Sequence, residues 1–222
     1  MKCFLKNKLD GSQSVCVCYA RERLRLLVKH NFLKIVRLRV DGRNYYIGTK
    51  LCFEFLDNSY PSVDVARPSS EIDIRTFDHD SELIKFRIYL EKTSLISKWR
   101  SERFLKRENY FFTGKLQRIV APDAIYQKNG QDIAFEYEIS KKSEDRYREK
   151  VKRYVSIMRN PSEDGPIKFS HCRFVCKNAQ VYNSLKKHTV IYGDLFSVEM
   201  ADRFFEPKAE VIPLRKENRA LH

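Results

Sequence analysis

The stretch from Arg118 to Lys142, RIVAPDAIYQKNGQDIAFEYEISKK, has the pattern of two β-strands joined by a tight turn. Asn129-Gly130 is the strongest short signal for a β-hairpin, because a type I′ turn requires a positive φ at both of its central residues. If the turn has two residues, Lys128 faces Gln131, and each further pair along the strands is fixed by that first one. We therefore expect a hairpin in a single register.

Three carboxylates fall on one face of this hairpin. The register places Asp123 opposite Glu136, and Glu138 shares their face because it lies two residues further along its strand. Like charges opposite each other destabilise a sheet, so the three need a raised pKa, a basic neighbour or a bound cation. A solvent-facing polar edge is the simpler alternative, but Pro122 before the first acid and Lys141-Lys142 after the last favour a metal site. The other face is core-like, with Ile133, Phe135, Tyr137 and Ile139.

The order of these residues resembles the core of the PD-(D/E)XK nucleases. Pro122-Asp123, the hairpin, and Glu136-Tyr137-Glu138 followed by lysines carry this resemblance. In that superfamily an Asp and a Glu on adjacent strands hold Mg²⁺, and a Lys two residues after the Glu assists the attacking water. Here Glu138 stands at the position of that Lys, and Lys141 or Lys142 could supply the charge instead. The resemblance implies as catalytic residues Asp123, Glu136, Glu138, Lys141 and Lys142.

A longer ordered set of residues is similar to the replication-relaxation family. The members of that family are plasmid- and mobile-element-associated proteins that pair a winged helix with a nuclease-like domain. The similarity is close over residues 75–205 and looser over residues 14–56. The residues that carry it are Trp99, Ser101-Glu102, Pro122-Asp123-Ala124, Glu136-Tyr137-Glu138, Lys142, Arg146-Tyr147, Lys150 and Tyr154.

This family resemblance implies a fold, a cofactor and two alternative functions. The implied fold is α/β, a restriction-endonuclease-like mixed sheet flanked by helices, with a small N-terminal partial winged-helix domain. The first function is DNA binding with metal-dependent cleavage or nicking in replication, mobilisation or transposition. The second is a non-catalytic regulator of replication, mobilisation or transcription. The implied partners are double-stranded DNA and a homodimer or other mobile-element proteins. Mg²⁺ or Mn²⁺ would be held by Asp123, Glu136, Glu138 and Glu102. Glu82 and Glu91 are alternatives to Glu102 as the fourth ligand.

The charge of the chain points to a polyanionic partner. Its 222 residues include 43 Lys and Arg against 29 Asp and Glu, which gives a net charge of +14. Such an excess is most often found in proteins that bind nucleic acid. RNA ranks below DNA because no aromatic stacking motif of the RRM type is present. An acidic membrane surface also ranks low, and no apolar run or signal peptide is apparent, so we expect a cytoplasmic protein without a membrane partner.

The six cysteines form no Cys-x-x-Cys pair. We interpret them as reduced and mostly buried thiols of a cytosolic protein. His171-Cys172 and Cys176 lack a fourth metal ligand at a suitable spacing, which argues against a metal site there.

Residues 1–57 are predicted to form a winged-helix-like DNA-binding region. A helix is expected from Ser14 to His30, with Asn31 as a left-handed cap. A second hairpin follows, with the turn Asp41-Gly42 and an inner face of Val36, Leu38, Val40, Tyr45 and Ile47. A helix followed by a basic hairpin resembles the second half of a winged helix, although too few residues precede it for the helices that normally come first. The side chains expected to contact DNA are Arg21, Arg25, Lys29, Arg37, Arg39 and Arg43.

The rest of the chain is predicted as a linker over residues 58–76, a nuclease-like domain over 77–206 and a polar tail over 207–222. A strand is expected at 71–76 in the linker. In the domain, a helix over 80–92 packs through Leu83, Ile84, Ile88 and either Leu90 or Glu91. His79 before it is interpreted as a neighbour of its cap in preference to a ligand. Strands are expected at 95–103, 167–176, 190–192 and 197–200, and a helix at 179–187. The clearest helix runs from Ser143 to Met158 and presents Arg146 and Lys150 to a phosphate.

Overall fold

The fold is α/β, with a five-stranded mixed sheet flanked by helices. No helix within the described part of the chain is long and apolar enough to cross a membrane. The computed structural model describes residues 6–7, 13–14, 17–38, 42–60, 68–69, 71–93, 96–113, 121–160 and 167–205.

The helices and strands fall into two successive groups. The first group is β1 (Lys6–Asn7), β2 (Gln13–Ser14), α1 (Val17–Lys29), β3 (Leu33–Arg37), β4 (Asn44–Gly48) and α2 (Lys50–Ser59). The second group is α3 (Phe77–Thr93), β5 (Ser97–Ser101), α4 (Glu102–Thr113), β6 (Ala124–Lys128), β7 (Gln131–Glu138), α5 (Glu144–Arg159), β8 (His171–Cys176), α6 (Ala179–Thr189), a 3₁₀ helix (Val190–Leu195), β9 (Phe196–Met200) and α7 (Asp202–Phe205).

The central hairpin has the predicted turn and register. Asn129 has a φ of 51° and Gly130 a φ of 79°, the positive values that a type I′ turn needs. Lys128 pairs with Gln131 across this turn, and the pairing continues to the start of β6. The turn residues alone were therefore sufficient to predict how β6 and β7 align.

The large sheet has the strand order β5-β6-β7-β8-β9. Its first three strands are antiparallel, whereas β8 runs parallel to β7 and β9 parallel to β8. Parallel neighbours need a crossover, and α5 and α6 are the helices within those two connections. This arrangement confirms the expected α/β fold with a mixed sheet flanked by helices.

Two apolar layers cover the two faces of the sheet. On one face, α5 and α6 pack through Val151, Tyr154 and Leu185 against β7 and β8. On the other, Phe86 of α3 lies 5.6 Å from the ring of Phe135. The predicted apolar face of the hairpin lies in this second layer, with Phe135 and Tyr137 buried and Ile133 and Ile139 partly buried.

The helix–hairpin part near the N-terminus is joined to the sheet domain by aromatic contacts. Tyr45 of β4 lies 4.9 Å from Phe77, the first residue of α3, measured between ring centroids. Asn31 has a φ of 60°, which confirms the left-handed position after α1. The predicted inner face of this hairpin is also confirmed at Val36, Leu38, Tyr45 and Ile47, whereas Val40 lies outside the described residues.

The N-terminal hairpin has a longer loop than the sequence predicts. The structure pairs Arg37 with Asn44. A two-residue turn at Asp41-Gly42 would require a different pairing of the two strands. The N–H of Gly42 donates to the carbonyl of Leu38 at 2.9 Å, which closes a wider loop. The shift is two residues, so each side chain stays on its predicted face.

The predicted packing face of α3 was wrong at Ile84 and Ile88 and is confirmed at Leu83 and Leu90. Ile84 is 60% exposed and Ile88 46% exposed, whereas Phe86 and Leu90 are buried. The large ring of Phe86 fills the space against Phe135 and Tyr137, and this contact sets the rotation of the helix.

Three predicted strand segments differ in the structure. Residues 74–76 form a turn after Asp73, whose carboxylate accepts a hydrogen bond from the backbone N–H of Arg75, so no strand forms at 71–76. Residues 190–192 belong to the 3₁₀ helix that ends the α6 connection, not to a strand. The strand predicted to run to residue 103 ends at Ser101, and Glu102 begins α4. The tail over 207–222 lies outside the described residues.

Candidate functional site

The register of the central hairpin gathers acidic side chains at one end of the sheet. Ala124 pairs with Phe135, so Asp123, which precedes it, lies level with Glu136. Glu136 and Glu138 project from β7 toward α5, and their side chains are only 4% and 3% exposed. Buried carboxylates in such proximity require compensation, as the sequence indicated.

The compensation comes mainly from one lysine of α5. The Nζ atom of Lys150 lies 2.6 Å from Glu136 Oε2 and 2.6 Å from Glu138 Oε1. The second oxygen of Glu138 accepts from Lys142 Nζ at 2.7 Å, and the second oxygen of Glu136 accepts from the Tyr154 hydroxyl. Both oxygens of each glutamate therefore have a donor.

Burial and charge act in opposite directions on these groups. Burial raises the pKa of Glu136 to about 7, with Asp123 and Glu138 adding to the effect and Lys150 opposing it. Burial by itself would lower the pKa of Lys150, but the combined attraction of Glu136, Glu138 and Asp123 outweighs it and raises the pKa. The ammonium form of Lys150 is thus the stable one inside the protein.

Asp123 is held by a histidine from the opposite side of the sheet. His79 Nε2 lies 3.2 Å from Asp123 Oδ2, and that oxygen also accepts the backbone N–H of Tyr137 at 2.8 Å. The hydrogen bond to Asp123 raises the pKa of His79 to about 9. Burial acts to raise the pKa of Asp123, but His79, the charge of Lys150 and the backbone N–H of Tyr137 together outweigh it, and the pKa falls below its usual value.

His79 is a site residue that the sequence reasoning missed. The predicted helix began at residue 80 and left His79 outside, whereas α3 begins at Phe77 and places His79 in its first turn. A signal was present, because His79, Leu83, Phe86 and Leu90 follow the spacing of one helix face. Extending the apolar stripe backward by one turn would have pointed this imidazole at the sheet.

Two of the other implied site residues lie apart from this cluster. Glu102 donates its backbone N–H to the carbonyl of Asp123 at 2.8 Å, but its carboxylate pairs with Lys106 at 2.5 Å and is 43% exposed. Lys141 is exposed at the end of β7. The fold therefore brings together Asp123, Glu136, Glu138, Lys142 and Lys150, with the addition of His79 and Tyr154.

The arrangement does not fit the implied Mg²⁺ or Mn²⁺. Hard cations require carboxylate oxygens that point to a shared vacant position. Here the oxygens of Glu136 and Glu138 point at Lys150, Lys142 and Tyr154. Over the ranges that the structure describes, no group of three or more His, Cys, Asp or Glu side chains is placed to hold a metal ion.

The predicted DNA-contacting residues lie mostly on open surface. Arg21, Arg25 and Lys29 are exposed along one face of α1, and Arg37 and Arg43 are exposed on the hairpin that follows. Arg146 is exposed in the first turn of α5, and Arg39 lies outside the described residues. Lys150 differs from all of these, because its ammonium lies inside the carboxylate cluster.

Comparisons with protein-family models, with curated proteins and with solved structures gave no significant match. The cluster ties α3, α5 and the central hairpin together at one end of the sheet, through His79–Asp123 on one side and Lys150 on the other. The exposed arginines of α1 and its hairpin form a separate feature.

Proposed function

We propose that this chain is a double-stranded-DNA-binding protein of a plasmid or mobile element. In this proposal a partial winged helix contacts the DNA, and a restriction-endonuclease-like domain serves as its scaffold without catalysing cleavage. The observation that carries the proposal is the row of exposed cations Arg21, Arg25 and Lys29 on α1. They recur every four residues, so they face the same direction along the helix.

The hairpin after α1 extends this basic surface. Arg37 and Arg43 are exposed near its loop, and α1 packs directly on β3. A helix and an adjacent hairpin that both carry cations are suited to phosphates on the two sides of a groove. The net charge of +14 favours the same partner over a neutral or basic one.

The scaffold role is supported by the burial and hydrogen bonding of the carboxylates and by the family resemblance. Glu136 and Glu138 are buried and fully occupied by donors, so they are not available to substrate. The order of hairpin, acidic pair and basic helix resembles the replication-relaxation family, whose members combine a winged helix with such a domain. The resemblance supports a DNA-linked role for a domain of this kind.

The proposal is tested by the salt dependence of DNA binding. Fluorescence anisotropy with a labelled duplex would compare wild type with the triple variant Arg21→Gln, Arg25→Gln, Lys29→Gln. We expect weaker binding and a log Kd–log salt slope that is smaller by roughly 2–3, because each lost phosphate contact removes about 0.9 from the slope. The matched control neutralises three exposed lysines on or next to α6, Lys177, Lys186 and Lys187. Equal losses in both triple variants would mean that charge alone, and not this surface, governs binding.

Metal-dependent DNA cleavage is the second candidate. The register that places Asp123 level with Glu136 favours it, because acids on adjacent strands are the arrangement that the PD-(D/E)XK resemblance implies. The assay is conversion of supercoiled plasmid in Mg²⁺, Mn²⁺ or EDTA by wild type and Glu136→Gln. DNA binding without cleavage in either metal is the expected result. Cleavage by wild type that both EDTA and the substitution abolish would replace the scaffold role with a catalytic one.

A further inference from the structure

We propose that the ammonium of Lys150 is the resident cation of the cluster formed by Asp123, Glu136 and Glu138. It takes the place of a divalent ion, and its removal exposes a latent site for one such ion. This inference does not rest on DNA binding. It concerns the ion that the interior of the chain is built to hold.

The geometry supports a substitution of one cation for another. Glu136 and Glu138 stand two residues apart on β7, and one oxygen of each lies 2.6 Å from the same Nζ atom. Two carboxylate oxygens that converge on one point form the core of a site for a small hard cation. Bonds from Mg²⁺ to oxygen are about 2.1 Å long, so the oxygens would need to move inward by only about 0.5 Å.

Asp123 completes the acidic environment of that point. Its carboxylate lies level with Glu136 in the hairpin register and acts electrostatically on Lys150 over a longer distance. His79 now holds Asp123 Oδ2, and Lys142 holds the outer oxygen of Glu138 at the rim. Lys150 is thus the central cation, and the other two bases are peripheral.

Burial explains why Lys150 is retained. The side chains of Glu136 and Glu138 are almost inaccessible, and that of Lys150 is 19% exposed. Without a cation beside them, these two buried carboxylates would strongly destabilise the fold. Because Lys150 is attached to α5, it competes with any free ion as an intramolecular partner at high effective concentration. The native chain should therefore exclude divalent ions from this cluster.

The experiment uses Mn²⁺ as the probe and the full chain without DNA. Electron paramagnetic resonance measures the free Mn²⁺, and thermal melting with and without Mn²⁺ measures its effect on the fold. Wild type and the rim variant Lys142→Ala should leave the free Mn²⁺ signal unchanged. Lys150→Ala should melt lower without metal, bind one equivalent of Mn²⁺ and regain thermal stability with it. Adding Glu136→Gln to Lys150→Ala should abolish both the binding and the recovery.

Each of the remaining outcomes supports or contradicts the proposal. One equivalent of Mn²⁺ bound by wild type and lost in Glu136→Gln would show that Lys150 yields to a metal ion in the native chain. A folded Lys150→Ala that binds no Mn²⁺ would show that no latent site exists. If Lys150→Ala does not fold alone, it is refolded with Mn²⁺. A folded, metal-bound product supports the proposal, and failure to recover any fold contradicts it. Since no DNA is present, these results are independent of the DNA-binding test.

Discussion

The imidazole of His79 and the carboxylate of Asp123 join the two sides of the sheet, with Nε2 of the first 3.2 Å from Oδ2 of the second. The same nitrogen lies 3.2 Å from the carbonyl oxygen of Tyr137. The first turn of α3 is thereby fixed to both strands of the central hairpin. Opposite charges on the ring and the carboxylate make this a charge-assisted contact when His79 is protonated.

The His79 contact predicts a loss of stability at alkaline pH. The pKa of His79 is about 9 in the folded chain against 6.5 for the free side chain. A raised pKa stabilises the fold fully below pH 6.5, and this contribution disappears as the pH rises through about 9. In urea unfolding, the free energies of unfolding of wild type and His79→Gln should differ by about 1–3 kcal/mol below pH 6.5 and by little above about pH 9. His30→Gln, at an exposed histidine, is the control. An NMR titration that placed His79 near 6.5 would contradict this prediction.

The hydroxyl of Tyr154 should stabilise the fold through Glu136. Tyr154→Phe removes the donor to one buried carboxylate oxygen and should lower the free energy of unfolding by about 1.5–3 kcal/mol. The matched control is Tyr147→Phe on the same helix. The Tyr147 hydroxyl bonds only neutral backbone groups, at 3.1 Å to Lys142 N and 3.4 Å to Ser140 O, among the contacts described. Chemical denaturation of both variants should show the larger loss for Tyr154, and equal losses would argue against a charged partner.

Gly130 should tolerate alanine less well than Gly48, although Gly130 has more space. A Cβ at Gly130 would meet nothing within 4 Å, but its φ of 79° is unfavourable for any L side chain. We expect Gly130→Ala to lower stability by about 1 kcal/mol through backbone strain. At Gly48 a Cβ would make an ordinary contact 3.6 Å from Pro68 Cβ, and little change is expected. Thermal melts compare the two variants. A larger loss of stability in Gly48→Ala would mean that steric contact, and not the backbone φ, determines the cost of the added Cβ.

Thr49 should hold the helix–hairpin part together. Its hydroxyl lies 2.5 Å from the carbonyl of Asn31, to which it donates, and 3.2 Å from the amide of Cys52, from which it accepts at the start of α2. Thr49→Val keeps the shape and loses both contacts, so we expect a loss of about 1–2 kcal/mol. Hydrogen exchange at the first amides of α2 should accelerate in this variant. Ser143→Ala is the comparison, because its cap contact with Arg146 N is longer at 3.4 Å and should cost less.

The parts of the fold that the sequence predicted were those set by local chemistry. Asn129 and Gly130 form the turn through their own positive φ angles, and the Ser143 hydroxyl caps the start of α5. The helix predicted from Ser143 to Met158 is also confirmed, and Tyr147, Val151 and Tyr154 on it are buried. Short-range rules apply to such features whatever surrounds them.

The parts that failed depended on distant neighbours. The rotation of α3 was decided by Phe86 against the sheet, not by the stripe of Ile84 and Ile88. Lys150 was predicted to face a phosphate, because the sequence shows its charge but not its tertiary contacts. It lies between Tyr147 and Tyr154 on the flank of the buried stripe of α5, and only the crossing of that helix over β7 brings it to Glu136.

The strand order of the sheet also implies an order of assembly. Lys128 and Gln131 meet across two residues, whereas Ile133 meets His171 and Cys172 meets Phe196 only after whole helices intervene. Closing long loops costs more chain entropy, so pairings between distant segments form later. The hairpin that carries Glu136 is therefore expected early, and its acids stay open to water until α5 delivers Lys150. Glu136 and Lys150 are 14 residues apart, much closer in sequence than Ile133 and His171, so the buried charge is expected to be neutralised before β8 docks beside β7.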